Sequence, residues 1–551
     1  MPNQIGKSEE TDIPIPFQNI TLCINPNSAT YEEEIFDQNI DNHNKKKKPF
    51  CVILQLHLKK DKNSNKIRIF GEKFFERYKN EKESIEVINY SNGPIQFIDF
   101  EGLNDGNATI SVKIKITKIL ENLSYMFADC KDIVYIIGLD QLVNEKVTDI
   151  SNLFLNCSSV THIINLSKFD TKNVIDMNSL FRGCDSLENL RDLYNWNTEK
   201  VTDMNSLFYG CKNLKNINLT KWNTKNTKYF SGMFYECINL ETINLNISRF
   251  NLSKAKDISL MFYKCKKLVE IDLSKFDTNN VERMKAMFYG CEYLETIQGL
   301  ENLKTDNLMD MGSMFYECKS LKSLPDFLSY WNRNKLIDIS NLFYSCSNLD
   351  FSNFNFGKWR LPNVTNISGI FYECTKLKEI KAFSRINNLK DCSFMFYKCS
   401  NLERLPEKFN FNTNNLEEIK GMFYECKSLK KLPTMKDWNI SKVMNMSFMF
   451  FGCENLEEIP EPFSDENKIK NKDISYIDYN CNNLKESKFF REKFEDKTEV
   501  KEEKQEIKEE KQEIKNLVNT QNQRENFIIF LQKYFLMISL EHEYLIYQFV
   551  L

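Results

Sequence analysis

The sequence predicts an α/β repeat: a solenoid of about 14 coils, each a short strand plus a short helical or 3₁₀ turn. A small β-rich domain precedes it and a charged helix follows. Three observations carry this. The stretch MFYECKSL is written twice without change, at Met314–Leu321 and Met422–Leu429. Fourteen cysteines (Cys130, Cys157, Cys184, Cys211, Cys237, Cys265, Cys291, Cys318, Cys346, Cys374, Cys399, Cys426, Cys453 and Cys481) recur at intervals of 25 to 28 residues, a mean period of 27. Around each cysteine the same apolar frame returns. A fixed period in this range marks stacked units that bury their apolar faces only against neighbours.

Composition sets the outer bounds. Of 551 residues 42% are hydrophobic, enough for a long continuous core, and 74 basic against 77 acidic residues leave a net charge of −3. That balance gives no case for nucleic acid as a partner. The start, MPNQIGKSEETDIPIPF, has no apolar run behind a basic head, so a reducing cytoplasmic location is expected, with the cell surface as the alternative. The 17 cysteines then read as buried thiols.

Residues 1–49 are polar and aperiodic and are expected to be a disordered tail, with Lys45–Lys48 as a solvated basic run. Residues 50–118 read as the small β-rich domain, with one helix. CVILQLHLKK alternates as a strand, Asp61–Asn65 is a turn, and KIRIF returns as the second arm of a hairpin. GEKFFERYKNEK is a short helix with Phe74, Phe75 and Tyr78 on one face. IEVINYS and IQFIDFE are strands separated by Asn92-Gly93-Pro94, and TISVKIKIT leads into the first coil. The expected role of this domain is to cover the open end of the solenoid.

Residues 119–489 are the solenoid. Three residues before the cysteine stands Phe in 13 coils, the exception being Asp478. Four before is Met, Leu or Ile, and three after is Leu, Ile or Val. Spacing by three then gives way to spacing by two, as at Ile217/Leu219. MFYxC is therefore expected to be the tight turn, LxxIxL the strand, SKFDTxN a side-chain-stabilised turn and NVxxM the return leg. Stacked coils would repeat every 4.8 Å or so, the inter-strand spacing.

MFYGC, CxxLxxIxLSxFDTxNV and VTDMNSLF resemble the BspA-like leucine-rich repeat of bacterial and protist surface proteins, over about Ile119 to Leu484. The resemblance implies a leucine-rich-repeat-type solenoid and a role in adhesion or protein interaction.

Two columns run beside the repeat. The cysteines read as small apolar side chains in a tight inner corner. Metal binding fails on partners, with four histidines and no CxxC pair. Two residues before the cysteine a tyrosine stands in nine consecutive coils: Tyr209, Tyr235, Tyr263, Tyr289, Tyr316, Tyr344, Tyr372, Tyr397 and Tyr424. With Phe and Cys inward, this position faces outward or sideways. The row is either partner-contact material or cover for the coil beneath. On the first reading, replacing Tyr316, Tyr344 and Tyr372 with Ser weakens binding and leaves melting nearly unchanged. The tryptophans Trp196, Trp222, Trp331, Trp359 and Trp438 fall 11 to 13 residues after a cysteine and read as corner packing.

Residues 490–526 carry KEEKQEIKEEKQEI, a heptad written twice with one apolar position each, which favours a solvated helix over a coiled coil. Residues 527–551 form an apolar helix that docks on the array, self-associates or lies on a membrane. No catalytic motif, nucleotide fingerprint or cofactor site is present in the sequence. The expected function is a non-enzymatic scaffold for an unidentified protein, with a membrane-attached adhesin as the alternative.

Overall fold

The computed structural model describes residues 51–485, apart from 60–65, 91–92, 94, 100–108, 143–144, 245–249, 275, 328–330, 332–334, 360 and 384. All belong to the unit that begins at Phe50. The expected tail over 1–49, the turn at Asp61–Asn65, the charged helix over 490–526 and the apolar helix over 527–551 lie outside the described residues.

The first elements are β1 (Val52–Lys59), β2 (Lys66–Arg68), α1 (Glu72–Tyr78), β3 (Ile85–Val87), β4 (Phe97–Asp99) and β5 (Thr109–Ile116). They meet β6 (Ile133–Ile137) and β7 (His162–Ile163) of the first coils in one five-stranded sheet, ordered β3-β5-β1-β6-β7. The expected β1–β2 hairpin does not form. β1 pairs antiparallel with β5 over eight residues and with β6 on its other edge, while the three-residue β2 pairs with β4. The long alternating strands bury Leu54, Leu56, Leu58, Val112, Ile114 and Ile116 together, more apolar area than a three-residue arm supplies.

The MFYxC segment is not a helical or 3₁₀ turn. The residues five and one before each cysteine take positive φ, for example Ser313 at 57° and Glu317 at 55°. The backbone bonds explain why. Met311, Ser313, Phe315 and Glu317 donate their N–H groups to Asp338, Ser340, Leu342 and Tyr344 of the next coil at 2.7–3.2 Å. The intervening Met314, Tyr316 and Cys318 donate three residues back within their own coil. A helix would spend every N–H locally. Here every second one binds the neighbour, and the chain achieves this by turning left-handed at two positions four residues apart.

The expected strand in every coil is also corrected. Beyond β7, short parallel pairs form between β8 (Asn216–Asn218) and β9 (Thr242–Asn244), and between β10 (Glu270–Asp272) and β11 (Thr296–Gln298). Farther on, Pro325, Pro406, Pro433 and Pro460 stand at the third strand position and have no N–H to give. Lone bridges such as Glu379↔Arg404 remain. The continuous ladder lies elsewhere, eight residues before each cysteine, from Asn122↔Asp149 to Asn445↔Asp473.

The core follows the apolar frame. The column Phe127, Phe154, Phe181 through Phe450 stacks with centroids 5.3–6.1 Å apart and planes within 16°. Each thiol of the repeat column has a partner. From Cys157 to Cys481 the Sγ donates to the carbonyl of the preceding coil's Phe, at 3.1 Å for Cys318 to Phe288. Cys130 has no preceding coil and its Sγ turns to Ala128 of its own at 3.7 Å. This favours Cys over a purely apolar side chain: the slot takes a small group that also donates. Four tryptophans do likewise, Trp196, Trp222 and Trp331 to backbone carbonyls and Trp359 to Asp326.

The bridge ladder carries its own chemistry. Asp391 Oδ1 accepts from Ser393 N at 2.8 Å, an Asx turn repeated at Asp176, Asp310 and Asp338. Burial, aided by neighbouring carboxylates, raises the Asp176, Asp310 and Asp391 pKa values. A raised folded pKa means that ionisation opposes folding, so this penalty is present at pH 7 and is lost as the pH falls through the folded pKa toward the ordinary 3.8. Asn occupies the same slot at Asn122, Asn366 and Asn445. Asp391→Asn is therefore expected to raise the urea midpoint at pH 7, with the gain shrinking near pH 4. Asp391→Ala, which removes the turn bond, should cost roughly 1 kcal/mol.

Candidate interaction surface

The nine tyrosines expected to share a face come together in one stack. Centroids from Tyr209 to Tyr424 lie 3.9–4.6 Å apart, with planes within 17°. Phe451 and Tyr479 extend it at one end, and the Arg182 guanidinium lies 4.2 Å over the Tyr209 ring at the other. Ring faces are thus turned to each other, and what reaches the surface is edges and hydroxyls. Side-chain hydrogen bonds join Tyr289, Tyr316, Tyr344, Tyr372 and Tyr397 along the stack. Burial, above all, pushes the Tyr344 phenol well above its usual value and the Tyr372 phenol up to about 12.

The column is not uniform. Tyr209 through Tyr372 are half-buried, whereas Tyr397 and Tyr424 are 6% and 4% exposed. The residue five before the cysteine, which sequence reasoning passed over, contributes to the change. It flanks the ring edge: a Cβ at Gly369 would lie 3.7 Å from Tyr344 Cδ2. In the coils of the open tyrosines this slot holds Ser206, Gly232, Leu260, Ala286, Ser313, Asn341 and Gly369, none of them aromatic. Farther on it holds Phe394, Gly421 and Phe448, and the two phenyl rings contact Tyr397 and Tyr424. Counting the repeat frame at one more position would have found this.

Where the stack begins, a depression of about 430 Å³ opens over Gly183 and Gly210, beside Arg182, Tyr209, Lys131 and Lys212. These glycines stand one before the cysteine, where most other coils carry a side chain such as Glu236 or Lys264.

The thiol column offers no reactivity. Every described cysteine is free, and all but Cys51 are buried. Burial raises the Cys318 and Cys346 thiols well above their ordinary value, so no thiolate is available. Native-state alkylation read by mass spectrometry is expected to label Cys51 and spare Cys130 through Cys481 until the chain is unfolded. Rapid native labelling of Cys318 would refute that burial. Among the described residues no group of His, Cys, Asp or Glu is placed to hold a metal ion, and no helix is long and apolar enough to cross a membrane.

The chain is similar to three solved leucine-rich repeat proteins. One from Bacteroides ovatus is 18% identical, covers 64% of this chain and 81% of its own, with a TM-score of 0.37. One from Eubacterium ventriosum is 16% identical, covers 62% and 82%, with a TM-score of 0.34. One from Leptospira interrogans is 12% identical, covers 62% and 92%, with a TM-score of 0.21. No curated protein matches the chain. One family model matches four overlapping stretches, 121–242, 188–297, 291–409 and 390–517. These take in most of the chain, which belongs to the family described as Mycoplasma protein of unknown function, DUF285.

Proposed function

We propose that this chain is a non-catalytic scaffold that binds another protein along the tyrosine face of its solenoid. The observation that carries this is the stack itself. Seven rings, Tyr209 to Tyr372, are held half-buried at 3.9–4.6 Å spacing, so their edges and hydroxyls are positioned before any partner arrives. Preset aromatic groups lose little side-chain entropy on contact. The buried, protonated thiols fit a reducing compartment.

The test is photo-crosslinking in the native cell, with a benzophenone side chain at Lys319, beside the stack, and at Glu270 in β10 as the control. One discrete protein adduct at Lys319 and none at Glu270 supports the reading. No adduct at Lys319, or the same adduct at both positions, refutes it.

Stacking changes what mutation of the tyrosines should do. Replacing Tyr316, Tyr344 and Tyr372 with Ser removes three mutually stacked rings, each pair worth about 0.5–1.5 kcal/mol beyond area. Melting is expected to fall along with binding, unlike the near-constant melting that an outward row implies. Ser313→Phe is the cleaner probe. It copies Phe394 and Phe448, whose φ of 55° and 60° matches the 57° of Ser313. It is expected to cover Tyr289 and Tyr316, reducing binding at least fivefold with melting unchanged.

A further inference from the structure

We infer that the depression at the start of the tyrosine stack recognises an acidic side chain of a partner protein, held by Arg182 and Lys131. This rests on the scaffold reading and names the chemistry recognised at the open end of its face.

The space is real and floored by backbone. At Gly210 an added Cβ would find nothing nearer than the Gly183 backbone at 3.7 Å. Among the coils, only those of Gly183 and Gly210 are neighbours that both lack a side chain at this slot. The charges around the floor are unequal. Asp185 is engaged by Lys212 at 2.8 Å, and Glu236 by Lys264 at 3.5 Å. Arg182 and Lys131 line the same space, and among the described residues no carboxylate pairs with either. Arg182 is also set in place, its guanidinium carbon 4.2 Å from the centroid of the Tyr209 ring, and a guanidinium held over an aromatic face can still offer its N–H edge to a bidentate carboxylate. The neutralised carboxylates matter as much. Asp185 and Glu236 are tolerable neighbours for one isolated carboxylate and poor ones for a phosphate backbone, which would bring several charges close to both. An acidic peptide is favoured over a nucleic acid on that ground.

The repeat supplies substitutions the fold already tolerates. Arg182→Leu copies Leu155, and Lys131→Ser copies Ser158, each from the same slot of an adjacent coil. Gly210→Glu copies Glu236, Glu317, Glu373 and Glu425, all at positive φ like Gly210, and places a carboxylate inside the depression.

The experiment uses the full chain and two bead-displayed heptapeptide libraries, randomised except for a central Glu in one and a central Gln in the other. The wild type is expected to retain Glu peptides at least fivefold over Gln peptides. That preference should vanish in Arg182→Leu and Gly210→Glu and fall in Lys131→Ser, with all three melting like the wild type. Equal retention of Glu and Gln peptides by the wild type overturns the inference, as does an unchanged preference in Arg182→Leu. A 20-mer of oligothymidylate is titrated in parallel, and tighter binding of it than of the selected peptides overturns the assignment to an acidic peptide. A discrete Lys319 crosslink with no Glu preference would leave the scaffold reading standing and sink this one alone.

Discussion

Phe315→Ala is expected to lower stability by about 3–5 kcal/mol, read as the shift in urea unfolding of the full chain. Phe315 is fully buried and stacks between Phe288 at 6.0 Å and Phe343 at 5.9 Å, with Phe327 edge-on at 5.9 Å. Its neighbours are fixed by their own backbone bonds to adjacent coils, so they cannot close over the space. The Phe315 carbonyl still receives Cys318 N at 3.1 Å and Cys346 Sγ at 3.0 Å in the variant. The loss is then side-chain packing alone. In a stacked array each unit is stable only through its neighbours, so the damage should be local before it is global. Amide exchange is expected to accelerate first in the coils of Cys291, Cys318 and Cys346. A loss under about 1 kcal/mol would mean that the phenyl column does not hold the coils together.

What the sequence made legible was the inward face. Phe, Cys and the flanking Met, Leu and Ile recur in a frame that only burial explains, and all of Phe127 through Phe450 are buried where that frame puts them. The tryptophan corner was legible for the same reason. The backbone was not. The two left-handed positions of each coil hold Asp, Asn and Ser, but also Glu236, Lys264, Phe394 and Tyr476, which have no preference for positive φ. Inter-coil hydrogen bonds impose that conformation, and local propensity hides it. The trace that remained was glycine: Gly183, Gly210, Gly290 and Gly452 in one slot, Gly232, Gly369 and Gly421 in the other. Seven of the chain's 16 glycines in two registers point to a turn. The four prolines seven residues after the cysteine likewise argued against a strand in the later coils. The tyrosine column was visible, but its division into open and covered halves depended on Ser313 against Phe394, a neighbour in space that the cysteine-centred frame did not weigh.

Gly71→Ala should detach the α1 segment from the first coil and remove at least about 3 kcal/mol of that coil's protection, measured by amide exchange at Phe127 and Asp129. Each coil offers four carbonyls, eight, six, four and two residues before its cysteine, to the coil preceding it. In the first coil these are Asn122, Ser124, Met126 and Ala128, and no coil precedes them. Tyr78 OH donates to the Asn122 carbonyl at 3.1 Å, Arg77 to Ser124 at 3.4 Å, Gly71 N to Met126 at 2.9 Å and Cys130 Sγ to Ala128 at 3.7 Å. Phe70 continues the phenyl column over Phe127 at 6.5 Å. Residue 71 sits so close that a Cβ there would fall 2.2 Å from the Tyr125 carbonyl oxygen and 2.9 Å from Ala128. Those contacts are backbone and core, so relief requires the whole α1 segment to move, taking three of the four donors with it. An unsatisfied buried carbonyl costs about 1–3 kcal/mol, and water admitted to the end recovers part of that only by opening the phenyl stack. Gly312→Ala is the control, because its Cβ would meet nothing nearer than the Asp310 carboxylate and the Ser340 hydroxyl at 3.4 Å. It is expected to change stability by less than about 1 kcal/mol. Equal effects of the two substitutions would show that residues 70–78 merely adjoin the solenoid and that its first coil is stable without them.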